Sequence, residues 1–374
     1  MSEDPDEGML SWDESVFRDE HVFEIDYVPE TFAHRETQLE SLKYALRPAV
    51  RGSRPLNTMV RGPPGTGKTT AVQKLFGELG AQTDVRTVRV NCQVDSTRYA
   101  VFSRIFEHIF EYEPPASGIS FKKLFGQITD RLVEDDDVLA VALDDVNYLI
   151  YENEASDTLY SLLRAHEAHS GARIGVVVVS SDLSLDVIEE LDGRVQSVFR
   201  PEEVYFPVYD VDEIVDILRE RVRSGFHDGV VDAPELDRVA ELTAESGDIR
   251  VGIDLLRRAG LHAEMRASRT VGTEDVDAAY EKSKYVHLSR SLRGLSDRER
   301  ELVAVVAEHD GDRAGEVYEA FREETGLGYT RYSEIVNKLD QLGVVEAAYA
   351  DVEGRGRSRS LSLSYDADAV RERL

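Results

Sequence analysis

Two short stretches, residues 138–143 and 174–179, are apolar without interruption, and each ends abruptly in polar residues. Such runs read as strands buried on both faces of a parallel sheet. A short strand is expected at 57–60 and another strand at 85–90. Between them, apolar residues recur at helical spacing. Leu39, Leu42 and Leu46 share one face over 37–46, a helix follows at 70–79, and two more at 98–110 and 121–132 are split by the turn Glu113-Pro114-Pro115. Strands alternating with helices predict an α/β core. After about Tyr209 the strand patterns stop. Four helices are expected at 211–222, 235–245, 250–263 and 273–286, followed by a break at 288–294. Residues 295–374 read as three short helices and an alternating hairpin, the pattern of a winged helix. The division that follows is an acidic disordered tail at 1–13, an α/β core at 14–209, a helical segment at 210–288 and a winged-helix domain at 289–374.

The length of 374 residues suits two or three cores, and a hydrophobic fraction of 41% is enough to fill them. One cysteine, Cys92, can form neither an intramolecular disulfide nor a shared metal site, which fits a reducing compartment. The acidic first residues and the lack of any apolar run near the roughly 18 residues of a membrane span predict a soluble, cytoplasmic protein with no membrane partner. Charge changes the picture more. With 73 acidic against 44 basic residues the net charge is −29, and the acids are spread along the whole chain. Taken alone this argues against nucleic-acid binding, which leaves a basic footprint. An acid-rich, lysine-poor composition also resembles proteins of halophilic archaea, where molar salt screens repulsion within roughly 3 Å. On that reading net charge says little about partners.

The chemistry begins at Gly62-Pro63-Pro64-Gly65-Thr66-Gly67-Lys68-Thr69, a complete P-loop pattern between an expected strand and an expected helix that takes in Thr70. Its glycines let backbone N–H groups turn toward phosphates, Lys68 reaches the β/γ-phosphates, and Thr69 offers its hydroxyl to Mg²⁺ at a helix N-terminus. The strand at 138–143 then delivers Asp144 and Asp145. Asp144 is expected in the magnesium shell and Asp145 on the attacking water. The strand at 174–179 ends at Ser180-Ser181-Asp182, where Ser181 either orients water or simply caps a helix. Gly193-Arg194-Val195 and Gly247-Asp248-Ile249-Arg250 each place an arginine after a glycine turn. Either arginine suits a phosphate sensor, since guanidinium matches phosphate bidentately, and either suits a surface ion pair.

In the last domain the third helix, capped by Thr330 and ended by Gly343, turns Ile335, Leu339 and Leu342 inward. It presents Arg331, Glu334, Asn337, Lys338 and Gln341 outward. Arginine, asparagine and glutamine are side chains that read base edges in the major groove, although a solvated face looks similar. The following hairpin carries Arg355, Arg357 and Arg359 with no acid between Gly354 and Tyr365, a local reversal in so acidic a chain. Arginines at a hairpin tip suit a wing along phosphates or in the minor groove; a flexible basic loop is the other reading. In molar salt, counterion release contributes little, so a shallow dependence of DNA affinity on salt is expected.

Together these segments resemble AAA+ ATPases, and more narrowly the archaeal origin-recognition and cell-division-control initiators. The residues carrying the resemblance are Tyr27-Val28-Pro29-Glu30, His34-Arg35-Glu36, Asp182-Leu183, Leu191-Asp192-Gly193-Arg194-Val195, Gly247-Asp248-Ile249-Arg250 with Asp254-Leu255-Leu256, and Gly315-Glu316-Val317-Tyr318. It spans nearly the whole chain. The resemblance implies an AAA+ P-loop sheet with a helical lid and a C-terminal winged helix, binding ATP/ADP and Mg²⁺. It also implies that Val28, Pro29 and Arg35 line the adenine pocket, that Ser181 and Arg250 are the two sensors, and that Arg194 sits near the intersubunit arginine position. The helices at 98–132 match the insertion by which initiators touch DNA. Implied partners are double-stranded origin DNA, the replicative helicase and other initiator copies, at the nucleoid. Two departures, Asp145 for the usual glutamate and Ser181 for the usual asparagine, both fall on hydrolysis, so tight binding with slow turnover to ADP and phosphate is expected. The rival functions are an ATP-gated winged-helix transcription regulator and a remodelling ATPase whose winged helix binds protein.

Overall fold

The computed structural model describes residues 15–24, 26–115, 119–183, 185–293, 295–341, 344–350 and 358–374. They form two compact units, Met1–Thr273 and Glu274–Leu374.

The first unit opens with a single 3-10 turn, Glu20–Phe23, and then alternates helices with strands. In order these are α1 (Glu36–Val50), β1 (Thr58–Arg61), α2 (Lys68–Gln82), β2 (Arg86–Asn91), α3 (Arg98–Phe110), α4 (Phe121–Glu134) and β3 (Val138–Asp144). They continue with α5 (Asn147–Tyr151), α6 (Ala155–Leu163), α7 (Ala165–Ala168), β4 (Arg173–Ser180), α8 (Gly193–Gln196) and β5 (Glu202–Tyr205). All five strands are parallel, in the order β2-β3-β4-β1-β5. Every residue of β3 is buried, as its unbroken apolar run demands. Alternation sorts that run between two cores. Val138, Ala140 and Ala142 pack with α1 and α2, while Leu139, Val141 and Leu143 pack with α3, α4 and α6. Because β1, β3 and β4 point the same way, the phosphate loop, Asp144 and Ser181 all emerge at the carboxyl edge of the sheet, where open α/β sheets bind ligands.

Three lid helices follow: α9 (Val211–Gly225), α10 (Ala233–Ser246) and α11 (Ile249–Met265). A capping box between Asp210 and Glu213 starts α9, and Asp248 caps α11. The chain's first described residues pack on this lid, not on the sheet. The Phe17 ring stacks on Phe226 at 4.8 Å, Ser15 and the Val16 amide both donate to Glu264, and Arg257 pairs with Glu20.

Helix α12 (Thr273–Arg293) runs on through residues 288–293 of the break expected at 288–294. Leu288-Ser289-Arg290-Ser291-Leu292-Arg293 contains neither glycine nor proline, so nothing in it stops a helix. The second unit continues with α13 (Asp297–Glu308), α14 (Ala314–Thr325), α15 (Tyr329–Gln341), the antiparallel pair β6 (Val345–Ala350) and β7 (Ser358–Leu363), and α16 (Ala367–Arg371). Leu302, Val306, Phe321, Ile335, Leu339 and Leu361 close one core between the helices and the hairpin, which is a winged-helix arrangement.

Candidate functional site

The phosphate loop is held open by backbone conformations that only glycine adopts without strain. Gly65 and Gly67 sit at φ of 69° and 88°. Gly65 has a second reason to lack a side chain, since a Cβ there would fall 1.8 Å from Asp248 Oδ1 of the lid. Inside the loop, Lys68 is almost fully buried and donates to the carbonyls of Gly62 and Pro63 at 2.7 and 2.6 Å. Burial pulls its ammonium down to about 8, a shift opposed by the nearby Asp145 carboxylate and reinforced by Arg250. An ammonium kept dry and held only by carbonyl oxygens is ready for a phosphate. The buried Thr66 hydroxyl donates to Pro63 O at 2.9 Å and steadies the turn.

Arg35 braces the loop from below and is 1% exposed. Its guanidinium donates to the carbonyls of Thr66 (3.1 Å), His34 (2.7 Å) and Pro207 (2.7 Å) and lies 3.6 Å from the Tyr209 ring. It therefore ties the loop to the start of the lid. Val28 and Pro29 are part-buried. Their segment is pinned by Lys74 of α2, which donates to Glu30 O at 2.8 Å, and by Arg221 of α9, 4.5 Å from the Tyr27 ring. Pro64 is exposed, and Thr70 is part-buried at the head of α2.

At the sheet edge, Thr69 donates to Asp144 Oδ1 at 3.1 Å, and Arg89 of β2 donates to Asp144 Oδ2, also at 3.1 Å. Arg89 shares its face with Ala142, its register partner. The sequence reading missed it; the one available signal was a charged residue two before Asn91 in an alternating strand. Burial and the neighbouring Asp145 push the Asp144 carboxyl up, while Thr69 and Arg89 act against that. Thr69 and Asp144 present an all-oxygen pair, which suits Mg²⁺ completed by phosphate and water oxygens. No cluster of three or more His, Cys, Asp or Glu that could hold a metal by itself occurs among the described residues.

Asp145 takes φ 54°. Aspartate enters this left-handed region more readily than most residues, so the shorter acid suits the backbone. Ser181 donates to Asp145 Oδ1 at 3.2 Å, so the structure brings these two expected residues into contact. Arg250 is half-exposed and is gripped by both oxygens of Asp248, at 2.9 and 3.0 Å from its Nε. That hydrogen bonding raises its pKa, and its charge is felt by both Asp145 and Lys68. The lid arginine thus faces the loop through Asp248, a residue whose own role the sequence reading passed over. Arg194 stands apart. It is exposed, paired with Asp192 and Asp157, and 5.1 Å from the Tyr160 ring; none of these partners belongs to the phosphate loop.

The DNA candidates of the second unit are placed less uniformly. Arg331 pairs with Glu334 at 2.8 Å on the exposed face of α15. Arg359 of β7 donates to Asn337 at 3.1 Å, to Asp340 at 3.3 Å and to Ala347 O at 3.3 Å, fastening the hairpin to α15. Lys338 is half-exposed and pairs with the buried Glu299 of α13 at 2.8 Å. Arg355, Arg357 and Gly343 lie outside the described residues, as do the side chain of Gln341 and the tail at 1–13. In the first unit, α3 and α4 are joined by a Phe102–Phe121 edge contact at 5.0 Å, with Arg98 3.6 Å over the Phe121 ring. No helix of the described residues is long and apolar enough to cross a membrane.

Comparison with known proteins agrees with this geometry. A model described as an AAA ATPase domain matches residues 31–179, and one described as a Cdc6 AAA+ ATPase-type lid domain matches 215–281. ORC1-type DNA replication protein 3 of Haloarcula marismortui is 75% identical over the full length of both chains, and ORC1-type DNA replication protein 6 of Halobacterium salinarum is 72% identical, also over both full lengths. Among solved structures, the Aeropyrum pernix ORC1 protein in complex with DNA superposes with a TM-score of 0.78 at 29% identity, covering 97% of each chain. The nucleotide loop, the lid that meets it and the winged helix therefore have their counterparts along the whole length, and the chain belongs to the family of ORC1-type DNA replication proteins.

Proposed function

We propose that the chain is an ATP-controlled initiator of DNA replication, in which an AAA+ core (14–209) and lid (210–288) regulate the grip of a winged helix (289–374) on origin duplex DNA. The observation that carries the control step is the contact of the lid's Asp248 with Gly65, with Arg250 held on the same carboxylate. A nucleotide seated in the loop must share that space, so its phosphates bear directly on where the lid rests. Val28, Pro29 and Arg35 bound the base side, and Lys68, Thr69 and Thr70 the phosphate side. Thr69 and Asp144 would hold Mg²⁺, which when bound neutralises charge on the β- and γ-phosphates.

Ser181 donates to Asp145 Oδ1. Turnover is slow on this reading, because a short carboxylate already engaged by a hydroxyl must be repositioned to activate water. Arg194, exposed and away from its own loop, is available to a neighbouring copy. Arg331, Asn337, Lys338, Gln341 and the wing arginines Arg355, Arg357 and Arg359 face DNA, and the bound protein helps to recruit the replicative helicase at the nucleoid. The family membership and the DNA complex of the Aeropyrum relative support the DNA-binding part.

The test is footprinting on fragments of the source genome in high potassium salt, with ATP and with ADP. Protection of a repeated element beside a replication origin, weakened by Arg331→Ala, is expected. Protection confined to one gene promoter would point to a transcription regulator, and protection nowhere to a winged helix that serves protein.

A further inference from the structure

From Ser41 to Gly77 the chain has seven basic residues and neither aspartate nor glutamate, in a protein of net charge −29. Part of this stretch is the phosphate loop. The remainder forms a surface. Lys43, Arg47 and Arg51 recur every fourth residue along α1 and its C-cap, and all three are exposed. At 1.5 Å per residue they make a row roughly 12 Å long on one face. Arg54 follows after the chain turns back, through Gly52 and Ser53 amides that donate to Ala49 and Pro48 carbonyls. Tyr44 and Val50 stand 62% and 57% exposed beside the row.

The arginines of this row differ from their counterparts elsewhere. Arg86, Arg104, Arg131 and Arg257 each hold one or more carboxylates. Among the described residues, Arg47, Arg51 and Arg54 have no ion pair and no side-chain hydrogen bond, and Lys43 has only the exposed Glu40. Arg54 is part-buried, and desolvation is the sole influence on its charge. In a chain with so large an excess of acid, three neighbouring arginines without a described partner keep a local positive field that acid-paired arginines do not. The helix dipole favours a cation in the last turn of α1, where Arg47 stands, but its half charge does not account for the whole row.

Helix α1 covers the α2 face of the sheet, and α3 and α4 cover the opposite face. The row is therefore distinct from the insertion helices and from the winged helix. We propose that this face of α1 is a second contact for the phosphate backbone of duplex DNA; the inference rests on the DNA-binding reading above. A row of evenly spaced cations, Lys43, Arg47 and Arg51, with Arg54 beyond it, fits a linear polyanion, whose phosphates guanidinium groups bind bidentately. DNA held by the winged helix also presents further phosphates at high effective concentration, so a modest second contact suffices. The rival occupant is an acidic face of a second copy of this chain.

The experiment uses the full chain carrying Arg47→Gln, Arg51→Gln and Arg54→Gln together, with Arg200→Gln as a control at another arginine that has no described partner. Duplex binding is measured across a potassium chloride series, beside nucleotide affinity and circular dichroism. Each phosphate contact contributes about 0.9 to the slope of log affinity against log salt, so the triple variant should lower that slope by about 2–3 and the control should leave it alone. Should the triple variant fold poorly, Arg51→Gln by itself is expected to lower the slope by about 0.9. An unchanged slope in a folded variant overturns the proposal. An unchanged slope with self-association lost in sedimentation overturns it in favour of the second copy. A wild-type chain that binds no duplex at any salt would sink the functional reading, and this one with it, whereas a binding wild type with an insensitive slope sinks only the α1 contact.

Discussion

The nucleotide loop and the outer face of α15 are both read here as anion-binding surfaces, yet they are built in opposite ways. At the loop the cations are buried and held by neutral carbonyls: Lys68 by Gly62 and Pro63, Arg35 by Thr66, His34 and Pro207. On α15 and the hairpin the cations are more exposed and are mostly held by acids: Arg331 by Glu334, Lys338 by Glu299, Arg359 by Asp340. A buried cation satisfied by carbonyls keeps its full charge for a phosphate and has nowhere else to go. An exposed cation in an ion pair must exchange one anion for another, at little net gain in water. The first design gives affinity to a small ligand. The second would give a contact that DNA could make and leave.

The contrast breaks most sharply at Lys68. Lys68→Ala should weaken binding of a fluorescent ADP analogue at least 100-fold, about 3 kcal/mol, because hydrogen bonds to charged groups contribute about 1.5–3 kcal/mol each and more than one is lost. An affinity within threefold of wild type would mean that the loop does not grip phosphate. Arg35→Ala comes next, and its effect falls on stability. Removing the guanidinium leaves three carbonyls without their donor in a buried site, for a cost of about 2–3 kcal/mol in denaturant unfolding of the first unit. Loss of ADP affinity without loss of stability would mean that Arg35 serves the ligand and does not brace the fold.

How much of this contrast was legible beforehand depends on how each residue signals itself. The phosphate loop, Asp144 and the two fully buried strands were plain, because an unbroken apolar run or a glycine spacing has few other uses. Strand β5 was missed, since Glu202-Glu203-Val204-Tyr205 turns only Val204 inward and offers no run to detect. The packing of Val16 and Phe17 on the lid was equally hidden, as it depends on Phe226, a residue more than 200 positions away. Arg89 and Asp248 escaped for a related reason. Each acts through a partner on another element, Asp144 in one case and Gly65 in the other, and spacing along the chain carries no trace of that. On α15 the residue types were visible but their engagements were not, so Lys338 read as a free outward cation when it also secures Glu299.

Arg359 tests whether the hairpin arginines hold structure as well as DNA. Its bonds to Asn337, Asp340 and Ala347 make it a tie between β7 and α15. Arg359→Ala is expected to cost about 1 kcal/mol in the stability of the second unit, in line with one partly exposed hydrogen-bonded cation. DNA affinity should fall about tenfold, the free-energy equivalent of about 1.4 kcal/mol. A fall in affinity with no change in stability would assign the residue to DNA alone.

The smallest effect is the most discriminating, because its sign differs between the two designs. Glu334 occupies Arg331 on an exposed helix face, with both side chains more than half exposed. Such a pair contributes at most about 0.5 kcal/mol to folding, so Glu334→Gln should leave the melting transition almost unmoved. It removes a carboxylate that repels phosphate and competes for the guanidinium, so duplex affinity should rise two- to threefold, about 0.4–0.7 kcal/mol. At the nucleotide loop the matching operation has no such benefit, since the partners of Lys68 are backbone carbonyls that no substitution removes. A measured fall in DNA affinity for Glu334→Gln would mean that the acid positions Arg331 for its contact, and the exposed face would then be as prebuilt as the buried loop.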